Sequence, residues 1–254
     1  MQEKAKSIIA AILAGCILFF LFVSYLLSTP LTALIGLSFG NAEWIKLITG
    51  FKKDTQEISR YYGFYDWEDM NIIPGETEVV YYSQKDPAWA SHYYDTRSNK
   101  RQTIRSGGCG PTSLAIVYTS LTHEIMTPDD MASYAMENGY CAAPNGSYRS
   151  LFTSGAAKLG LTNYYTGKDL QQALETMTEG RLMVVLMGKG IFCDGGHFVV
   201  IRGVTEDGKL LMADCWNDKN NDKEWDIDII AENLKVDSAN CLWVLGYEEG
   251  DDHE

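Results

Sequence analysis

The hydrophobic pattern changes character three times along the chain. Residues 8–27 are 20 consecutive uncharged positions, almost all apolar, softened only by Ser24 and Tyr25. At ~1.5 Å per residue such a helix is about 30 Å long, the thickness of a bilayer's hydrocarbon core. A helix in a soluble core would carry a polar face, and this run has almost none. The pattern predicts a transmembrane signal-anchor helix over 8–27, stopped by Pro30. From 28 to 75, short apolar patches (34–37 and 44–51) alternate with polar stretches, which predicts a stalk or linker closed by the turn pair Pro74-Gly75. Residues 76–247 have the periodicities of a globular domain, and 248–254 form an acidic tail.

Within 76–247 the helical periods come first. A short strand is predicted at Val79–Ser83. A helix is predicted at Pro111–Leu121, where Leu114, Ala115, Val117, Tyr118 and Leu121 recur at helical spacing and Pro111 suits a first turn. Thr127-Pro128-Asp129-Asp130 combines a capping threonine, a proline and first-turn acids, so it opens another helix that Gly139 ends. Tyr148–Leu159 and Asp169–Thr178 read as two more. The period then shortens. Leu182–Met187 and Phe198–Val204 are continuous apolar runs rich in β-branched residues. Glu206-Asp207-Gly208-Lys209 is a hairpin turn, Leu210–Asp214 follows it, and Cys241–Tyr247 closes the domain. Helices first and an antiparallel meander afterwards define an α+β fold, not alternating βαβ units.

Charge and flanking residues refine this picture. Lys4 and Lys6 precede the apolar run, and Lys46 is the only basic residue between Leu27 and Gly50. The positive-inside rule then puts residues 1–7 in the cytoplasm and everything after Leu27 outside, as a single-pass protein of the cell membrane. A cleaved signal peptide is the other use of such a run, but no small-x-small cleavage site follows it. Leu13-Ala14-Gly15-Cys16 has the form of a lipoprotein signal, yet the chain grows more apolar after Cys16, where a lipoprotein turns polar. The formal net charge of -13 is a poor basis for holding a phosphate backbone, so a nucleic-acid partner is not expected. Five cysteines follow the apolar run, namely Cys109, Cys141, Cys193, Cys215 and Cys241. An odd number leaves at least one thiol unpaired within the chain, and the sequence leaves open which, if any, of the others pair.

Candidate chemistry gathers at four positions. Cys109 lies in Gly107-Gly108-Cys109-Gly110-Pro111, just where a helix starts. The partial positive charge of a helix N-terminus favours thiolate over thiol, and flanking glycines let a substrate backbone approach. His197, in Gly195-Gly196-His197-Phe198, opens an apolar strand behind a glycine pair. The other three histidines lie in a polar loop (His92), beyond a helix (His123) and in the tail (His253). Asp214 ends the next strand, where it can orient an imidazole across the hairpin. Gln84, in Tyr82-Ser83-Gln84-Lys85-Asp86-Pro87-Ala88-Trp89, offers an amide that could stabilise an oxyanion together with the Cys109 N–H.

Taken in order, these motifs resemble the papain-like cysteine peptidases, and most closely the stand-alone relatives of the bacteriocin-leader (double-glycine) peptidases. The resemblance rests on Gln84 with Trp89, Gly108–Ser113, Gly196–Phe198 and Asp214, and it covers about residues 79–247. It implies a thiol hydrolase without a cofactor. Its roles would be Cys109 as nucleophile, His197 as base and acid, Asp214 as orienter and Gln84 as oxyanion donor. The substrate would be a peptide or protein, and the outward orientation adds cell-wall peptides to the reachable set. One position departs from those relatives: Cys215-Trp216 follows Asp214 where proline is common.

Three other readings compete with this one. Cys193, His197, Asp214 and Cys215 could ligate zinc, but no Cys-x-x-Cys or His-Glu-x-x-His pattern accompanies them. Asn217–Glu224 alternates acids and amides like a calcium loop but lacks its glycine and closing glutamate, so it reads as a solvated turn. A catalytically silent module of the same fold, binding peptide or wall fragments, is the alternative from a different functional class.

Overall fold

The computed structural model describes residues 72–73, 78–95, 102–237 and 239–248, all within one compact unit, Ser59–Glu254. The predicted spanning helix over 8–27, Cys16, the 28–75 segment up to residue 71 and the tail beyond Glu248 lie outside the described residues. Among the described residues no helix is long and apolar enough to cross a membrane.

The chain begins with a two-residue pairing of β1 (Ile72–Ile73) with β2 (Val79–Val80), so the domain's pairing starts inside the stretch assigned to the stalk. A second small ribbon pairs β3 (Tyr93–Asp95) with β4 (Gln102–Thr103). The short helix α1 (Ile104–Gly107) runs straight into α2 (Cys109–Thr122). Next come α3 (Pro128–Glu137), a 3₁₀ turn at Arg149–Phe152 and α4 (Ser154–Lys158). Strand β5 (Thr162–Gly167) and helix α5 (Leu170–Thr176) precede the hairpins β6 (Arg181–Met187), β7 (His197–Val204) and β8 (Leu210–Ala213). A 3₁₀ turn at Asp218–Asn220, β9 (Glu224–Trp225), α6 (Ile227–Asn233) and β10 (Leu242–Gly246) complete the chain. One antiparallel sheet carries six of the strands in the order β5-β10-β6-β7-β8-β9, so the predicted α+β class holds.

The central strands explain their own sequence. β7 is buried along all but its last residue, β10 throughout and β6 beyond its first, so both faces are covered and the apolar runs are continuous. Helix α2 is buried from Gly110 through Val117, on more than the one face that spacing suggested, because it packs against β2, α3 and β7 together. Phe152, Phe198 and Trp243 fill the seam between helices and sheet, with ring centroids 4.6, 5.2 and 6.0 Å apart. Each of these buried rings contributes roughly 2 kcal/mol or more of apolar transfer free energy. Ser113 Oγ crosses the same seam to donate to the Phe198 carbonyl at 3.1 Å.

Some boundaries differ from the sequence expectation for local reasons. α2 starts two residues before Pro111. The predicted helix over 148–159 breaks at Thr153 (φ -114°, ψ -90°), which lets Leu151 and Phe152 both turn inward. The capping box of α3 forms as its sequence predicts: Asp130 N–H donates to Thr127 Oγ1 at 3.2 Å and Thr127 N–H to Asp130 Oδ2 at 3.1 Å. The turn after β7 closes through Gly208 at φ +78°.

Candidate active site

Cys109 is the first residue of α2, and close contacts hold it there. A Cβ on Gly108 would lie 2.5 Å from the Ile104 carbonyl oxygen, and one on Gly110 would lie 2.2 Å from Ser147 Oγ. No side chain fits at either place. Glycine on both sides therefore lets α1 turn into α2 and lets the loop around Ser147 lie against the start of α2. That loop is fixed in turn by Gln102, whose Oε1 accepts from Gly146 N–H at 3.1 Å and whose Nε2 donates to the Gly146 carbonyl at 3.2 Å.

His197 is the first residue of β7. The register pairs Val200 with Ala213, so one further step sets Asp214 opposite Val199, on the same strand face as His197 two residues away. Asp214 is thus a diagonal cross-strand neighbour of His197. It turns off the end of β8 to bring Oδ1 within 2.7 Å of His197 Nε2. That commits Nε2 and leaves Nδ1 for the thiol, which the imidazole stabilises as thiolate. His197 and Asp214 are buried and Cys109 is partly open to the cleft.

The charges follow from these contacts. Burial pushes the Cys109 thiol up, but the imidazole beside it and the N–H groups of Phe198 and Gly110 outweigh that and hold it below the ordinary thiol value. Burial pulls His197 down, while the Asp214 carboxylate and the thiolate outweigh it and raise the imidazole to about 10. Asp214 is itself desolvated, yet it stays below the usual carboxylate range because donors surround it. Its Oδ1 also accepts from the Trp216 N–H at 2.9 Å and the Asn217 N–H at 3.2 Å, and its Oδ2 accepts from Asn220 Nδ2 at 2.7 Å.

Gln84 enters the site on a loop anchored by Trp89, whose indole N–H donates to the Ser83 carbonyl at 2.8 Å. The Gln84 backbone N–H donates to the Cys215 carbonyl at 2.8 Å, and Tyr81 donates its hydroxyl to the Asp214 carbonyl at 3.0 Å. The Gln84 side chain lines the cleft with Cys109 and His197. Its Nε2 donates to the carbonyls of Ile104 (2.8 Å) and Arg105 (3.1 Å), so both amide hydrogens are engaged.

The cleft has two halves that meet at Cys109. One, about 290 Å³, is lined by Gln84, Arg105, His197 and Trp216. The other, about 490 Å³, is lined by Ser147, Arg149, Leu186, Gly196 and Lys235. Trp216 stands partly exposed at the rim, with Lys85 Nζ 5.3 Å and the Arg105 guanidinium 6.0 Å from its ring centre.

The sequence did not point to Asn220 and Asn221. The stretch assigned to a solvated turn instead folds over Asp214. Asn220 grips its carboxylate, and Asn221 Oδ1 accepts the Asp214 N–H at 2.6 Å. The adjacent amides Asn220-Asn221 soon after a candidate orienting acid were the only local signal, and their burial is not legible from it. Of the four residues considered for zinc, His197, Asp214 and Cys215 do lie together, but Cys193 instead donates to the Gly188 carbonyl at 3.0 Å. The 2.7 Å contact between His197 and Asp214 is a hydrogen bond, and the remaining carboxylate positions hold N–H donors. All five described cysteines are free thiols.

No curated protein matches the chain by sequence. Among solved structures, the peptidase domain of Streptococcus ComA, a bi-functional ABC transporter involved in a quorum-sensing pathway, aligns with it at a TM-score of 0.41 and 14% identity. That alignment covers 62% of this chain and 99% of that one. Residues 76–241, which hold Gln84, Cys109, His197 and Asp214, match the model described as the Peptidase_C39 like family, and the chain belongs to that family.

Proposed function

We propose that the chain cleaves peptide bonds through Cys109, His197 and Asp214. The observation that carries this reading is the 2.7 Å hydrogen bond between a buried imidazole and a buried carboxylate, set beside a helix-start thiol that the imidazole lowers. With the thiol lowered and the imidazole raised to about 10, the pair is biased toward thiolate and imidazolium. The Cys109 sulfur attacks the carbonyl carbon, and its own backbone N–H lies at the developing oxyanion. His197 then passes its Nδ1 proton to the leaving amine as the C–N bond breaks. Water, deprotonated by His197, attacks the thioester carbonyl; collapse breaks the C–S bond, releases the acid and restores the thiolate-imidazolium pair. Gln84 would join the oxyanion site by giving up its longer bond, to Arg105, in favour of the substrate oxygen. From the apolar run and its flanking charges, we place the enzyme on the outer face of the cell membrane, with exported or wall peptides in reach.

A silent binding module of the same fold has one observation in its favour: both Gln84 amide hydrogens are held by carbonyls. Alkylation decides between them. Iodoacetamide labelling of Cys109 in the full-length chain should persist well below the ordinary thiol pKa of about 8.5 and fall at low pH in a His197→Ala variant. Labelling that titrates like a free thiol, or ignores the variant, would sink the peptidase reading. The same cysteine should react with a membrane-impermeant maleimide on intact cells; protection until lysis would refute the outward placement.

A further inference from the structure

His197 lines only the smaller half of the cleft. The leaving amine takes its proton from His197, so it departs through that half, and the acyl part of the substrate occupies the larger one. The lining of that larger half includes Arg149 and Lys235 and no aspartate or glutamate, in a chain with 34 acidic residues against 21 basic. The two cations are not equivalent. Arg149 is neutralised by Asp237 in a bidentate pair at 2.7 and 2.6 Å. Asp237 also feels the Lys235 charge at longer range, but both its oxygens are held by Arg149. Among the described residues, the Lys235 ammonium has no hydrogen-bonded or ion-paired partner, although the side chain is half-buried.

Its position is fixed and close to the chemistry. The segment leaving α6 is stitched to the end of β6: Lys235 N–H donates to the Leu186 carbonyl at 2.9 Å, Gly188 N–H donates to the Asn233 carbonyl at 2.7 Å, and Leu234 bridges to Met187. Lys235 Nζ then lies 3.2 Å from where a Cβ on Gly196 would stand, beside the residue that precedes the base. A half-buried cation without a partner is an incomplete ion pair, and the space before it is where the substrate's acyl side lies.

We propose that Lys235 determines specificity by pairing with a carboxylate on the acyl side of the scissile bond, so that the substrate is a peptide acidic just before the cut. The proposal rests on the peptidase reading for which bond is broken, and on Lys235 alone for which peptide is chosen. The test uses the full-length chain in non-ionic detergent with quenched fluorescent peptides, in pairs carrying Glu or Gln at each of the three acyl-side positions. At one position the Glu/Gln ratio of kcat/KM should be about tenfold. It should approach one in Lys235→Met and fall below one in Lys235→Glu, and a general loss of activity cancels in the ratio. A ratio near one at all three positions, or a preference that survives Lys235→Met, overturns the proposal. If no peptide is cut, the peptidase reading fails by itself, and the same pairs are titrated against a Cys109→Ala chain by fluorescence anisotropy. Tighter binding of the Glu member that disappears with Lys235→Met then upholds the role of Lys235, and equal binding overturns it.

Discussion

At Asp214 both carboxylate oxygens are occupied, one by His197 and two backbone N–H groups, the other by Asn220. Such a carboxylate keeps its charge while desolvated, and its charge helps to hold the imidazole protonated. The linkage follows from its lowered pKa. The stability Asp214 contributes is present above the unfolded aspartate value of about 3.9 and is lost as pH falls through the lower folded value. An Asn220→Asp substitution would set a second carboxylate against Oδ2. Two carboxylates that close cannot both ionise freely, so one pKa of the pair rises. We expect kcat/KM to drop at least tenfold near pH 6 and its acid limb to move to higher pH. The acid-unfolding midpoint should move the same way, as checked by a pH-rate profile beside an acid titration followed by circular dichroism. An unmoved acid limb would mean that Asn220 only fills space.

The start of α2 is where backbone packing sets the site. Gly108→Ala would drive a methyl group into the Ile104 carbonyl and side chain, at 2.5 and 2.8 Å. Overpacking of this kind typically costs about 1–3 kcal/mol, and here it would also shift the nucleophile. The expected result is a lower urea midpoint together with activity lost beyond what the unfolded fraction explains. These glycines, the helix behind them and the apolar strands were legible because each signal is local: punctuation, helical spacing and long buried runs. Elements set by distant partners were less so. β5 (Thr-Asn-Tyr-Tyr-Thr-Gly) has neither clean alternation nor an apolar run, and it is a strand because β10 pairs with it. Cys109, His197 and Asp214 could be named from motifs, but the side chains that hold Asp214 could not. Asn220 and Asn221 are buried only because their loop folds back over the end of β8, and that path is not written in any short window. Lys235 reaches the cleft through pairing with Leu186, which is equally invisible in sequence.

For the molecule as a whole, charge is unevenly shared. The chain carries a net charge of -13, yet Arg105, Arg149 and Lys235 line the cleft against a single acidic lining residue, Asp194. An acidic substrate is repelled by most of the surface and drawn to one place, a steering effect that salt weakens. The larger division is mechanical. Cys109 belongs to the helical layer and His197 and Asp214 to the sheet, and the seam between them is closed by Phe152, Phe198, Trp243 and the Ser113 bond. Neither layer holds a working site alone. On heating, a slip of the two layers by about an ångström would separate thiol from imidazole while helices and strands persist, and misplacement of that size can cost ~10²-fold in rate. Inactivation should therefore precede the loss of far-ultraviolet circular dichroism by several degrees, and Ser113→Ala should widen that gap. Coincident curves would show that the layers part only when they melt. Turnover, in this protein, is a gauge of whether its two halves are still docked.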